Sequence, residues 1–467
     1  MANERASTLG ELRASGYKVL PVREEMRKNL IEGLRGKRDM FPGILGYEET
    51  VIPQIENAIL SGQDMILLGE RGQAKSRIIR SLTSLLDEWT PTIDGAEIPE
   101  NPFAPISAQG KALVADLGEG TPIRWMHRDE RYGEKLATPD ITIADLIGEV
   151  DPIKVAEGRY LSDELTIHYG LVPRTNRGIF AINELPDLAE RIQVGLLNVM
   201  EERDIQIRGH KVRLDLDVFI VATANPEDYT NRGRIITPLK DRYGSQIRTH
   251  YPPTIEAEMQ IMEAEGASLP SDGFAIAVPE YMAEIVAEIS RLARRSPDVN
   301  QRSGVSVRAS VANYEALLAN ALRRAIRLGD TDVVPRISDL AFVMPSLAGK
   351  VELDTVEEGK DQQVLERLVQ GAVVAVFNRH CDISDFEEIV QAFKAGLAVD
   401  IGEALGTADY QKLLKDVPGL APAVASVTDS ANPAVQASAV EFVLEGLHLN
   451  KRLNKDAVSG QAARYRG

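Results

Sequence analysis

Residues Gly69-Glu-Arg-Gly-Gln-Ala-Lys-Ser76 decide how this chain is read. Before them stands Met65-Ile-Leu-Leu68, a short apolar run that follows the turn residues Ser61-Gly62. After them comes Arg77 to Trp89, where Ile78, Ile79, Leu82, Leu85 and Leu86 recur at helical spacing. The order is strand, glycine-containing loop, helix, and in that setting G-x-x-x-x-G-K-[ST] reads as a phosphate-binding loop. Backbone N–H groups turned inward make a nest for a β-phosphate. The helix start beyond them adds partial positive charge. Lys75 is placed to reach the β- and γ-phosphates of ATP, and Ser76 to ligate Mg²⁺. The nucleotide-binding set is therefore Gly69, Glu70, Arg71, Gly72, Gln73, Ala74, Lys75 and Ser76, with Arg77 next in line. Ala74 stands where the pattern has its second glycine, and a right-handed backbone there would accept the extra methyl. The plain alternative is a chance match on a turn before a helix.

Working outward, Met40-Phe-Pro-Gly-Ile-Leu-Gly-Tyr-Glu48 precedes a helical stretch, Val51 to Leu60. Its turn, with Leu45, Gly46 and Tyr47, is the candidate adenine pocket. Residues 1–40 are charged and lightly amphipathic and read as a helical segment packed on a larger domain. Residues 91–122 are rich in Pro, Gly and Asp and read as a long loop, with Thr121 to Met126 a candidate strand. Ile179-Phe-Ala-Ile182 is continuously apolar, as in a parallel strand covered on both faces. It ends in Asn183-Glu184. A carboxylate at the C-terminal end of such a strand lies where α/β sheets bind ligands, so Glu184 is the candidate general base. Its bland alternative is an N-cap or surface carboxylate. Asn183 keeps a carbonyl oxygen for the metal's surroundings but lacks the charge of an acid, and an aspartate there is expected to tighten Mg²⁺ use.

Leu188 to Arg203 reads as an amphipathic helix, and residues 204–212 alternate as in a hairpin. Val218-Phe-Ile-Val-Ala222 is another buried strand, and Asn225 just beyond it could hydrogen-bond the γ-phosphate or the attacking water. Arg242, in Leu239-Lys-Asp-Arg-Tyr-Gly244, is a candidate finger for a neighbouring subunit's nucleotide.

Composition sets the bounds. The 467 residues suggest two to four domains. A net charge of −17 suits neither nucleic acid nor an anionic membrane as a partner. No apolar run is long enough for a transmembrane helix, and the first residues lack the apolar centre of a signal peptide. One cysteine, Cys381, allows no intrachain disulfide and fits a reducing cytoplasm. The six histidines are scattered singly, so none is assigned to a metal.

Taken in order, Gly69–Ser76, ATPDITIADLIGEVD, NRGIFAINELPDL, LLNVMEERDIQIRG, VATANPEDY and PLKDRYG resemble the AAA+ ATPases of the helix-2-insert clade. The similarity is greatest to the magnesium chelatase ATPase subunit and to MoxR-like ATPases, and it covers about residues 40–345. The resemblance implies an α/β core with a parallel five-stranded sheet in the order 5-1-4-3-2, followed by an α-helical lid. It gives Lys75 and Ser76 the Walker A roles, Glu184 the Walker B glutamate, Asn225 sensor 1 and Arg242 the arginine finger. Asn183 takes the place of the Walker B aspartate. Residues near 145–170 become the helix-2 insert, and 204–212 the hairpin before sensor 1. Arg308, at the start of a lid helix, becomes sensor 2, with Arg302 a weaker rival. The expected boundaries are 1–40, 41–251 for the nucleotide-binding domain, 252–350 for the lid, and 351–467 for a helical C-terminal region with a mobile basic tail. The expected activity is ATP hydrolysis with Mg²⁺ between subunits of a homo-oligomer, as a hexameric ring that remodels a partner. In this family the partner is often a von Willebrand A-domain protein, and the target a metallocofactor enzyme or complex awaiting metal. Two other readings stay open: a nucleotide-gated scaffold with slow hydrolysis, and a true magnesium chelatase subunit.

Overall fold

Five segments assemble into one parallel sheet. They are β1 (Met65–Leu68), β2 (Tyr132–Leu136), β3 (Gly178–Asn183), β4 (Val218–Ala224) and β5 (Ser245–Arg248). All four pairings are parallel, and the lateral order is β5-β1-β4-β3-β2. The computed structural model describes residues 5–151, 153, 166–201, 205–207, 210–212, 214–225, 233–267, 273–301, 303–354, 360–458 and 462–467. The chain forms two units, residues 1–250 and 251–467.

In the first unit both sheet faces are covered. On one side Met65, Leu67, Ile179, Ala181, Phe219 and Val221 pack with the helices Val22–Arg35, Val51–Ser61 and Lys75–Ser81. On the other side Ile66, Phe180, Ile182, Ile220 and Ala222 pack with Glu190–Glu201 and with Ala137, Ile141, Leu146, Ile147, Ile167 and Val172. Alternate residues of each strand face alternate sides, which is why β3 and β4 read as unbroken apolar runs. Helix Val22–Arg35 is tied down by charge. Arg131, fully buried, donates to both oxygens of Glu25 at 2.6 Å, and the Asp217 carboxylate accepts the Val22 N–H.

Two expectations are corrected, and one strand is new. The helix after the phosphate loop is Lys75–Ser81 followed by a 3₁₀ turn, Leu82–Leu85, and Trp89 opens a strand instead. The strand expected at Thr121 to Met126 is Ile123–His127. It pairs antiparallel with Trp89–Ile93 outside the main sheet. The second core strand is Tyr-Gly-Glu-Lys-Leu, which no apolar run announces. Among the described residues it is an end strand of the sheet, where polar residues are tolerated. The antiparallel pair of Trp89–Ile93 and Ile123–His127 also receives the N-terminal segment. The Trp125 indole N–H donates to Ala6 O at 2.8 Å, and the Arg5 guanidinium lies 3.9 Å from the Trp89 ring. Of the 145–170 insert, residues 152 and 154–165 lie outside the described residues, as do Arg203, Arg208, Gly209 and Arg302. Strands Ile205–Ile207 and His210–Val212 pair antiparallel.

The second unit is built on helices Glu280–Ala293, Val307–Leu328, Lys360–His380 and Pro433–Leu449 around one continuous core. Residues from before and after position 350 share that core. The stretch that composition reads as a mobile tail contributes strands Asn454–Val458 and Ala462–Arg466, which form an antiparallel sheet with Ala398–Gly402. Arginines there pair with acids across the strands, Arg464 with Asp400 at 2.7 Å and Arg466 with Asp456 at 2.5 Å, while Lys455 pairs with Glu445 of the helix Pro433–Leu449 at 2.7 Å. Net basic composition thus hid a cross-strand pattern.

Candidate nucleotide site

The loop from Gly69 to Ala74 leaves the tip of β1, and the lateral order sets that tip beside those of β4 and β5. Gly69 N–H donates to Ala224 O at 3.1 Å, and Thr249 N–H to Leu68 O at 2.8 Å, so the loop starts from a fixed backbone. A Cβ at Gly69 would strike the Thr249 hydroxyl and the Gln73 amide oxygen. Buried Gln73 folds back. Its Oε1 accepts from Glu70 N–H at 3.1 Å and from Thr249 Oγ1 at 2.6 Å. The buried Tyr47 hydroxyl lies 3.1 Å from Gln73 O and 2.7 Å from His250 O. Burial pushes that phenol up to about 12. Leu45 and Gly46 are part-exposed beside it.

Gly72 and Ala74 both have positive φ, +75° and +54°. A right-handed Ala74 was expected, and the structure corrects this. Inward-facing N–H groups in a nest need alternating hands of backbone, and the alanine is held left-handed at a cost of about 1–2 kcal/mol. Lys75 Nζ donates to Glu70 O at 2.6 Å and also to Gly69 O, which curls it over the nest. Ser76, Arg71 and Arg77 are exposed around it.

At the tip of β3, Glu184 is itself left-handed, φ +55° and ψ 48°. Such a backbone in a non-glycine residue costs about 1–3 kcal/mol and gathers at functional sites. Its N–H donates to Thr223 Oγ1 at 2.9 Å. Asn183 is half-buried beside it. Asn225, 5% exposed, follows β4 directly. The topology thus gathers the loop, Asn183, Glu184 and Asn225 at one edge of the sheet.

Arg242 closes the helix Thr237–Arg242. Its guanidinium pairs with Glu201 and lies 3.6 Å from Asp241. Arg308 belongs to the second unit, exposed in the first turn of Val307–Leu328.

Sequence reasoning missed Arg80, Glu134, Thr223 and Thr249. Arg80 Nε and Nη2 donate to Glu134 Oε2 and Oε1 at 2.9 and 3.0 Å. Burial would raise the Glu134 carboxyl, but hydrogen bonds from Arg80 and Asn183 outweigh it and hold it below its ordinary value. The missed signal was a carboxylate in a strand too polar to be recognised.

Ser76 hydroxyl, Asn183 carbonyl and Glu184 carboxylate are hard oxygen donors, the chemistry Mg²⁺ takes. The residues present fit such an ion. Among the described residues no cluster of three or more His, Cys, Asp or Glu is arranged to hold a metal ion. Among the described residues no helix is long and apolar enough to cross a membrane. Burial pushes the Cys381 thiol up to about 11, which makes it a poor nucleophile.

Comparison with known proteins adds to this geometry. The sigma-54 interaction domain family matches residues 157–239. The magnesium-chelatase 38 kDa subunit of Rhodobacter capsulatus is 25% identical over 240 residues, 48% of this chain and 60% of that protein. The magnesium-chelatase subunit ChlI of Guillardia theta is 27% identical over 251 residues, 50% of this chain and 65% of that one. This chain therefore spans under two thirds of either relative. The crystal structure of NtrX from Brucella abortus in complex with ATP overlaps 83% of this chain and 71% of that one, at 14% identity and a TM-score of 0.39. An overlap that low adds nothing to the fold. By motif order, parallel sheet and sequence similarity, this chain resembles the AAA+ ATPases related to magnesium chelatase subunits.

Proposed function

We propose that the protein hydrolyses ATP at the interfaces of a homo-oligomeric ring, as a hexamer, and uses the cycle to remodel a partner. The observation that carries this is the shared sheet edge. A phosphate nest with Lys75 over it stands beside the strand tips that present Glu184 and Asn225. Lys75 holds the β- and γ-phosphates. Glu184 takes a proton from the attacking water. Asn225 orients that water or the γ-phosphate. Ser76 and Asn183 would hold Mg²⁺, directly and through water respectively. When bound, the ion neutralises charge on the transferring phosphoryl group. Arg242 from a neighbouring copy reaches the γ-phosphate, and to do so it leaves Glu201. Arg308 serves as sensor 2.

The resemblance to magnesium chelatase subunits and MoxR-like ATPases supports a von Willebrand A-domain partner and metal or cofactor insertion as the work done. A cytoplasmic location belongs to the same reading. A slower, scaffold-like ATPase is the second reading, and the uncharged Asn183 favours it. Steady-state ATPase assays on Arg242→Ala, Glu184→Gln and their mixture test the first. Each variant alone is expected to lose hydrolysis, and the mixture to recover part of it. A mixed ring contains interfaces with an intact base on one side and an intact arginine on the other. No recovery in mixtures shown to co-assemble would overturn the shared-site arrangement.

A further inference from the structure

We propose that Glu134 supplies, from the neighbouring strand, the negative charge that Asn183 lacks, and that it positions both Asn183 and Glu184 for Mg²⁺-dependent nucleotide binding. The inference rests on the nucleotide-site reading above.

β2 and β3 pair so that Glu134 stands opposite Ala181 and Leu136 opposite Asn183. Residues 181 and 183 point to the same face, so Glu134 is a diagonal neighbour of Asn183, within reach for a long side chain. Asn183 Nδ2 donates to Glu134 Oε1. Thr223 Oγ1, on β4, donates to Asn183 Oδ1 at 3.4 Å and accepts from Glu184 N–H at 2.9 Å. Arg80 grips Glu134 from the helix that begins at Lys75. One hydrogen-bonded chain thus runs from the phosphate-loop helix across three strand tips to the backbone of the candidate base.

The chain has a definite polarity. An asparagine amide offers donors on one side and an acceptor on the other. A carboxylate facing it takes the NH₂ side, because a flipped amide would set two acceptors against each other. Glu134 therefore fixes which way Asn183 points, and leaves Oδ1 with a lone pair for a metal-bound water. The carboxylate also lies one hydrogen bond from Asn183 at an only partly exposed position, with 21% of its side chain accessible. An acid at position 183 would meet Glu134 directly, and like charges at that range disfavour each other. The expectation that Asn183→Asp tightens Mg²⁺ use is revised accordingly.

The test uses the full chain and an ATP analogue with a non-cleavable β–γ bridge. Affinity is measured by calorimetry with saturating Mg²⁺ and with a chelator, and the ratio of the two is the Mg²⁺ gain. Glu134→Gln is expected to leave chelator affinity unchanged and to cut the Mg²⁺ gain by about tenfold, the usual range for a partner of a metal's neighbour. Asn183→Asp alone is expected to bring no increase. The double variant Glu134→Gln/Asn183→Asp is expected to restore at least the wild-type gain, which a merely structural loss would not do. An unchanged Mg²⁺ gain in folded Glu134→Gln overturns the inference, as does an equal fall with and without Mg²⁺. Asn183→Asp carries the test independently should Glu134→Gln not fold, since a tenfold increase from that change alone is also disproof. A wild-type protein that binds no nucleotide overturns the site reading and this inference with it. Normal binding with a failed Glu134 arm overturns the inference alone.

Discussion

The nucleotide edge of the first unit and the polar interior of the second use charge in opposite ways. In the second unit, Asp339 is fully buried and its two oxygens are occupied. Arg324 lies at 2.9 Å, Asn320 Nδ2 donates at 2.7 Å and the Arg336 N–H at 2.8 Å. Glu258 is held the same way by both Arg294 nitrogens, at 2.6 and 2.7 Å, and by Ser310. Ser338 and Tyr410 meet Glu441. Such groups are closed on themselves, and removing one partner strands a buried charge. At the edge of the first unit, Lys75, Asn183 and Glu184 are only part-buried. Glu184 has a left-handed backbone, Lys75 Nζ donates to loop carbonyls, and Asn183 Nδ2 donates to Glu134. Saturated charge holds a fold, while part-exposed charge on a strained backbone waits for a ligand.

Four substitutions test that contrast. The largest effect is expected from Glu184→Gln, with hydrolysis falling by roughly 10²–10⁴ while ATP binding and the melting midpoint hold. Single-turnover assays with calorimetry check it, and a wild-type rate would remove Glu184 from the mechanism. Asp339→Ala is expected to do the reverse, destabilising the second unit by about 3–5 kcal/mol in urea titrations. A shift under about 1 kcal/mol would mean that this interior tolerates a stranded arginine. Lys75→Ala is expected to weaken ATP binding by about 1.5–3 kcal/mol, the range for hydrogen bonds to charged groups, with unfolding unchanged. Equal affinity in the folded variant would sink the phosphate-loop assignment. The smallest effect is expected from Ala74→Gly. Relief of the left-handed alanine, about 1–2 kcal/mol, exceeds the extra chain entropy of glycine, about 0.5–1 kcal/mol. Thermal denaturation should therefore show a net gain near 0.5–1 kcal/mol, and a loss would mean the loop relaxes its backbone before nucleotide arrives.

How legible these features were follows from their range in sequence. The phosphate loop, β3 and β4 could be read because local pattern carries them: glycines and lysine at fixed spacing, and unbroken apolar runs. β2 could not, because Gly133, Glu134 and Lys135 break the run and only its place at the sheet end permits them. The Glu134–Asn183 pair was hidden for a related reason. Partners 49 residues apart meet only through strand register, and register is not written in either strand alone. The left-handed backbone of Ala74 is not legible because the size of a methyl does not set φ, whereas the nest around it does. The C-terminal sheet was obscured by composition, since acids that balance its arginines lie as far away as Asp400.

The chain's two tryptophans, Trp89 and Trp125, sit on opposite strands of one antiparallel pair in the first unit. Arg5, Ala6 and Tyr17 of the N-terminal segment lie against them. Tryptophan fluorescence is therefore a private optical channel for that strand pair and the segment on it. Far-UV ellipticity is dominated by helices, many of them in the second unit. Chemical denaturation followed by both signals compares the loss of that local packing with the loss of helix across the chain, with no label added.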